Sequence, residues 1–213
     1  MIELGKQTEY WDKVADKKVF SHPIQFNKLK EYLSKESKIL DFGCGYGRVC
    51  NQFLEYGYSN IMGVDISKKM IERGLSINPS MNLIHSKEDK LPFENNIFDA
   101  CSLMAVLTCV TPDLAQQNIL DEIYRVLKPG GLLYVSDMYL QKDKRNIDRY
   151  NQYQNEFNNY GVFKLPDNGV VRHHPKEWIK ELCSKFKIEN ESLIETVTMN
   201  GNKTEIFQMI LIK

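Results

Sequence analysis

Three glycines at every second position, Gly43, Gly45 and Gly47, separate a short apolar run at 38–42 from a segment at 48–56 whose Val49, Phe53 and Leu54 recur at helical spacing. A turn with so little side-chain bulk joins the two. Strand, glycine turn and helix in that order open a nucleotide-binding α/β unit, because glycine tolerates positive φ and lets backbone N–H groups at a helix start reach a polar ligand. The spacing also argues against one common version of that unit. In a GxGxxG dinucleotide turn the third small residue would fall on Arg48 when counted from Gly43, too bulky for close helix–strand packing, or on Cys50 when counted from Gly45, which is off-pattern.

Downstream, strands and helices alternate. The run 60–66 ends in Asp65 and Ile66, and Ser67 is an N-cap for a helix carrying Met70, Ile71 and Leu75. Strands are expected at 81–85 and 97–104. Pro112 starts a helix whose Ala115, Ile119, Ile123, Val126 and Leu127 share one face, and Lys128-Pro129-Gly130-Gly131 stops it before a fifth strand at 132–137. Such alternation predicts a parallel sheet. The rhythm then breaks. A polar, aromatic helix with Ile147, Tyr150, Tyr153, Phe157 and Tyr160 on one stripe should end at Gly161, followed by a hairpin of 162–165 against 170–174. A helix opened by Pro175 and a last hairpin, 188–199 against 205–212, complete the chain. Residues 1–36 form an irregular, mostly helical N-terminal cap interrupted by Pro23.

The 213 residues, 42% of them hydrophobic, suit one α/β domain spanning 1–213. Lys plus Arg and Asp plus Glu both number 28, so no global field pulls the protein toward nucleic acid or membrane, and a small-molecule partner is expected. Five cysteines without a CxxC pair, and no long apolar N-terminal run, predict free thiols and a cytoplasmic protein. No His, Cys and acid cluster has metal-ligand spacing.

The stretch Asp41-Phe42-Gly43-Cys44-Gly45-Tyr46-Gly47 resembles the first motif of class I S-adenosylmethionine-dependent methyltransferases of small-molecule, type 11-like kind. Gly63-Val64-Asp65-Ile66-Ser67 looks like their second motif, Leu91-Pro92-Phe93 through Phe98-Asp99 is similar to the approach to their fourth strand, and Arg125 to Gly131 to the helix end before their fifth. The resemblance covers residues 38 to 138. It implies a Rossmann-like seven-stranded sheet with helices on both faces, an antiparallel last strand and an insertion after the fifth strand. It also implies S-adenosylmethionine as cofactor, S-adenosylhomocysteine as product, and Asp65 on the ribose hydroxyls.

A ligand with an ammonium, a sulfonium and a carboxylate calls for acid beside bare backbone, as Asp41 offers next to Gly43, Gly45 and Gly47. A ribose diol suits a carboxylate that accepts two hydrogen bonds, which Asp65 supplies. Ile66 and Met104 are apolar candidates for the two sides of the adenine. Cys44 belongs to the cofactor turn as a small filler. Many relatives carry an acid at the position of Lys87, so Glu88 or backbone becomes the candidate adenine reader. The His or Glu-His that many place after the fourth strand is replaced by Thr108-Cys109.

The acceptor site is therefore sought in 139–174, the inserted lid. Strand parity puts Arg172 and His174 on one face and His173 on the other. Arg172 is a candidate partner for an acidic substrate group and His174 a candidate base; equally, His174 caps the following helix and Arg172 makes a surface ion pair. Tyr10 and Trp11 are candidates for a lid over the cofactor. The rivals to a small-molecule enzyme are an RNA or protein methyltransferase using Lys142, Lys144, Arg145 and Arg149, and a non-catalytic adenosylmethionine-binding protein.

Overall fold

In the computed structural model, residues 4–86 and 90–213 are described, with side chains from residue 7 onward. Seven strands form one sheet in the order β3-β2-β1-β4-β5-β9-β8, made of β1 (Ile39–Phe42), β2 (Ile61–Asp65), β3 (Asn82–His85), β4 (Phe98–Met104), β5 (Leu127–Asp137), β8 (Lys187–Val197) and β9 (Lys203–Ile212). The first five run parallel, and β9 enters antiparallel between β5 and β8. This is the Rossmann-like sheet that the motif order implied.

Period-two geometry explains why helices cover both faces. On one face Leu40, Cys101, Leu103, Leu133 and Leu211 join Leu120, Ile123 and Val126 of α5 (Asp113–Val126) and Ile179 and Leu182 of α7 (Lys176–Leu182). Their neighbours one residue away, Ile39, Ala100, Leu132 and Ile210, pack on the other face. There they meet Val49, Cys50 and Phe53 of α3 (Arg48–Glu55), Ile71 of α4 (Lys68–Ile77), and Phe26 and Leu29 of the one-turn α2 (Phe26–Leu29). Each large apolar side chain fully buried here contributes about 1.5–3 kcal/mol.

Caps are placed where the residue types require. Ser67 Oγ accepts from Met70 N at the start of α4, and Asp143 accepts from Asn146 N (3.2 Å) at the start of α6 (Lys144–Phe157). Several boundaries differ from expectation; the strands expected at 170–174 and 188–199 end two residues early, at Arg172 and Val197. Helix α6 stops at Asn158, whose φ of 49° supplies the left-handed cap, and Gly161 instead lies where a Cβ would strike the His173 carbonyl. Strand β5 begins at Leu127 rather than 132, with Lys128 to Gly131 forming a register shift against β4 and Gly130 at φ 76°. The N-terminal cap is helical only in α1 (Leu4–Val14) and α2, with 15–25 irregular around Pro23. Strands β6 (Val162–Lys164) and β7 (Val170–Arg172) form a separate ribbon after α6, the insertion following the fifth strand.

Candidate active site

Sheet order reverses at β1, which has β2 on one side and β4 on the other, and a cavity of about 890 Å3 opens at the carboxyl ends of these three strands. A crevice of this kind is where open α/β sheets take ligands. Backbone holds the start of the turn after β1 under it: Gly43 N and Cys44 N both donate to Val64 O, at 2.8 and 3.1 Å. Gly43 and Gly45 have φ of 69° and 55°, and a Cβ at Gly45 would run into the Phe20 ring. Glycine is required at both points.

Asp41, at the end of β1, is 1% exposed but still reaches the cavity wall. Ser102 Oγ donates to its Oδ1 at 2.6 Å and the Cys50 thiol to its Oδ2 at 3.5 Å. Burial outweighs both and raises its pKa to about 6. Asp65, at the end of β2, accepts from Gly45 N (2.7 Å) on one oxygen and from Ser67 N (2.8 Å) on the other. Its pKa too is pushed up by burial, against those two bonds. Gly43, Cys44, Gly45, Ile66 and Met104 also line the cavity. Cys44 is buried beneath the turn, where a Cβ on Gly63 would lie 2.7 Å from its sulfur, and burial holds its thiol well above the ordinary range. Gly47 is not on the wall. At φ 75° it is the N-cap of α3 and acts through backbone geometry. Glu88 and Lys87 lie outside the described residues.

The N-terminal segment closes the cavity. Gln7 to Asp12 of α1 line it, and the helix is tied down at both ends of the opening. Tyr10 Oη donates to Asp167 (3.1 Å) and Gln7 to Val170 O (3.2 Å) on the β6–β7 ribbon, while Asp12 accepts from Ser67 Oγ (2.6 Å) and Lys69 N (3.2 Å) at α4.

A methyltransferase domain model matches residues 40–135. A solved S-adenosylmethionine-dependent methyltransferase from Methanosarcina mazei superposes with TM-score 0.83 at 26% identity, over 92% of this chain and 99% of that one. Residues 40–135 are a methyltransferase domain, and in fold the chain is similar to S-adenosylmethionine-dependent methyltransferases of class I over nearly its whole length. Adenosylmethionine is the cofactor of that family. Among curated relatives, a sterol 4-C-methyltransferase of Caenorhabditis elegans is 28% identical over 172 residues, 77% of this chain and 49% of its own length. A bovine eEF1A lysine and N-terminal methyltransferase is 31% identical over 140 residues, 58% of this chain and 20% of its own. The chain spans half or less of the length of the first curated relatives it matches.

On the side away from β1 and β2, this methyltransferase departs from the sequence reading. Arg172 is 4% exposed and donates to Thr111 O (2.9 Å) and to Asp113 (2.5 Å), off the cavity wall. His174 is fully buried and also off the wall, with Nδ1 on Met138 O (3.2 Å) and Nε2 2.9 Å from the Gln116 amide nitrogen. Burial drives its pKa down to about 3, so it stays neutral. Both side chains brace the join between β7, α5 and β5, and neither meets the cavity. Val170 and Val171 of β7 and the following His173 line the cavity instead. Sequence reasoning also passed over Arg48, taken only as too bulky for a dinucleotide turn. It lines the cavity with its Nε buried and unpartnered, beside His22, whose pKa burial and Arg48 lower to about 4.

Proposed function

We propose that the protein transfers the methyl group of S-adenosylmethionine to a small-molecule acceptor held inside this cavity. The observation that carries the reading is the size and continuity of the cavity. One space of about 890 Å3 runs from the glycine turn to the β6–β7 ribbon under α1, near the top of the range of about 300–1,000 Å3 for small-molecule sites.

The wall fits the cofactor chemically. Asp41 is suited to the ammonium, and bare backbone at Gly43 and Gly45 allows close approach. Asp65 keeps lone pairs for a ribose diol after taking its two backbone N–H groups. Ile66 and Met104 give apolar surface for an adenine. Bound adenosylmethionine supplies an electrophilic methyl on a sulfonium. The chain's own residues then position the acceptor in line and exclude water, which for well-oriented groups is the main catalytic term. A general base is needed only where the acceptor must lose a proton, and His174, buried and hydrogen-bonded, is not that base.

The name of the sterol relative supports a small-molecule acceptor. The eEF1A relative keeps a protein acceptor as the second reading. Of the basic residues a macromolecule would use, Lys144 is paired with Asp148 at 2.6 Å and Arg145 lies 3.8 Å from Asp143, which weakens any basic face. No helix among the described residues is long and apolar enough to cross a membrane. The test is incubation with methyl-labelled adenosylmethionine and separated pools of metabolites, RNA and protein. Label in the metabolite pool is expected; label confined to protein or RNA overturns the small-molecule reading.

A further inference from the structure

Asp41, Asp65 and Arg48 line the cavity at the strand ends and the start of α3, and Arg145, Arg149 and His173 line it from α6 and the segment at the ribbon. Arg145 and Arg149 are four apart, so they share one face of α6. Asp143, at the N-cap of α6, is the carboxylate nearest Arg145. Arg149 has no carboxylate within ion-pair distance among the described residues.

The placement of Arg149 is fixed. Its guanidinium carbon sits 3.6 Å from the Phe163 ring centroid, and one terminal nitrogen donates to Asn146 Oδ1. The Nε is buried with no partner. Desolvation lowers the pKa to about 10, which leaves the group cationic but short of compensation. Arg149 thus lines the cavity as a stacked cation with a neutral acceptor at Asn146 and no carboxylate paired to it.

The neighbouring His173 adds a second donor. Its Nδ1 lies 2.6 Å from Tyr150 Oη, and that oxygen already accepts from Gln141 N at 3.1 Å. Tyr150 is fully buried, so its own hydroxyl proton needs an acceptor, and Nδ1 is the one in reach. The phenol therefore donates to Nδ1. Burial keeps the imidazole neutral, so its single proton resides on Nε2, which has no partner among the described residues. On the cavity wall His173 is a hydrogen-bond donor and not a base.

We propose that the methyl acceptor carries an oxyanion group, a carboxylate or a phosphate, which Arg149 binds with His173 as second donor and with Phe163, Leu165 and Val171 as the adjoining apolar wall. This deepens the small-molecule reading and rests on it. A planar guanidinium matches the geometry of either oxyanion, and its charge makes the pairing stronger than a neutral one.

The test measures melting temperature with and without saturating S-adenosylhomocysteine, adding benzoate, phenyl phosphate or the neutral benzamide. At least one of the two anions should raise the melting temperature and benzamide should not; the anion with the larger shift names the head group. Arg149→Gln should weaken binding of that anion at least about tenfold, Arg149→Lys should restore part of it, and both variants should keep the wild-type response to S-adenosylhomocysteine. That last response also shows that the variants are folded. A benzamide response as large as the larger anion response, no response to either anion, or an anion response that survives Arg149→Gln would overturn the proposal. A missing S-adenosylhomocysteine response with an intact, Arg149-dependent anion response would instead overturn the cofactor assignment and leave the anion site standing.

Discussion

The two sides of the cavity are built from different kinds of sequence information. On the side proposed for the cofactor, each group lies at or directly after a strand end: Asp41 to Gly45 at β1, Asp65 and Ile66 at β2, Met104 at the end of β4. Local order in the chain becomes local order in space, because parallel strands bring their carboxyl ends to one edge. The acceptor side is assembled from α1, α6, the β6–β7 ribbon and the turn between β8 and β9, pieces up to about 190 residues apart. There the residues that touch a ligand are chosen by docking, which no local motif records. The cofactor side should be intolerant of substitution at named positions, and the acceptor side should divide into bracing residues and lining residues.

The largest effect expected is at Asp65. Asp65→Ala removes an acceptor and leaves Gly45 N and Ser67 N unpaired, so S-adenosylhomocysteine should bind about 100-fold more weakly by calorimetry, about 2.7 kcal/mol. Unchanged affinity would move the ribose acceptor elsewhere. Gly45→Ala places a side chain at φ 55° against Phe20 and should cost about 1–3 kcal/mol in denaturant unfolding, with weaker cofactor binding. A neutral outcome would show that the turn yields at little cost.

His174→Ala should lower stability by about 1–3 kcal/mol, since it removes a fully buried ring and its side-chain hydrogen bonds to Gln116 and the Met138 carbonyl, while cofactor affinity stays at the wild-type value. Normal stability with abolished turnover would restore His174 to the chemistry and erase the distinction between bracing and lining residues. The pH dependence of binding is a smaller effect. Asp41, raised to about 6, is increasingly protonated as the pH falls through that value, and a neutral acid cannot pair with the cofactor's ammonium. Because the unfolded carboxyl ionises at a lower pH, the free protein loses stability as the pH rises toward 6, and ligand binding above 6 should recover it. Cofactor affinity should therefore fall by up to about tenfold per pH unit below 6, and Asp41→Asn should flatten the profile. The smallest effect is at the lid: Tyr10→Phe loses one bond to Asp167 and should cost about 0.5–1 kcal/mol.

What the sequence made legible follows the same division. Alternating apolar runs, the Ser67 cap and the spacing of Asp41, the glycines and Asp65 pointed to the sheet and to the residues gathered at the carboxyl ends of its strands, because each reflects a short-range rule. Strand parity separated Arg172 and His174 from His173, but a period of two supplies two faces and cannot say which residues meet the cavity. That depended on Thr111 and Asp113 capturing Arg172, and on Gln116 and Met138 capturing His174. Arg48 was seen only through its bulk, since its place on the wall follows from how α3 starts at Gly47. Arg149 was grouped with surface basic residues; its stacking on Phe163 joins α6 to a strand beyond the turn and leaves no helical-period signal.

The most direct test is a crystal structure of the complex with S-adenosylhomocysteine. The ribose hydroxyls should lie about 3 Å from the Asp65 carboxylate, the amino group beside Asp41 and the adenine against Ile66 and Met104. A ligand bound in this crevice with Asp65 touching only Gly45 and Ser67, or bound away from it, would contradict the account.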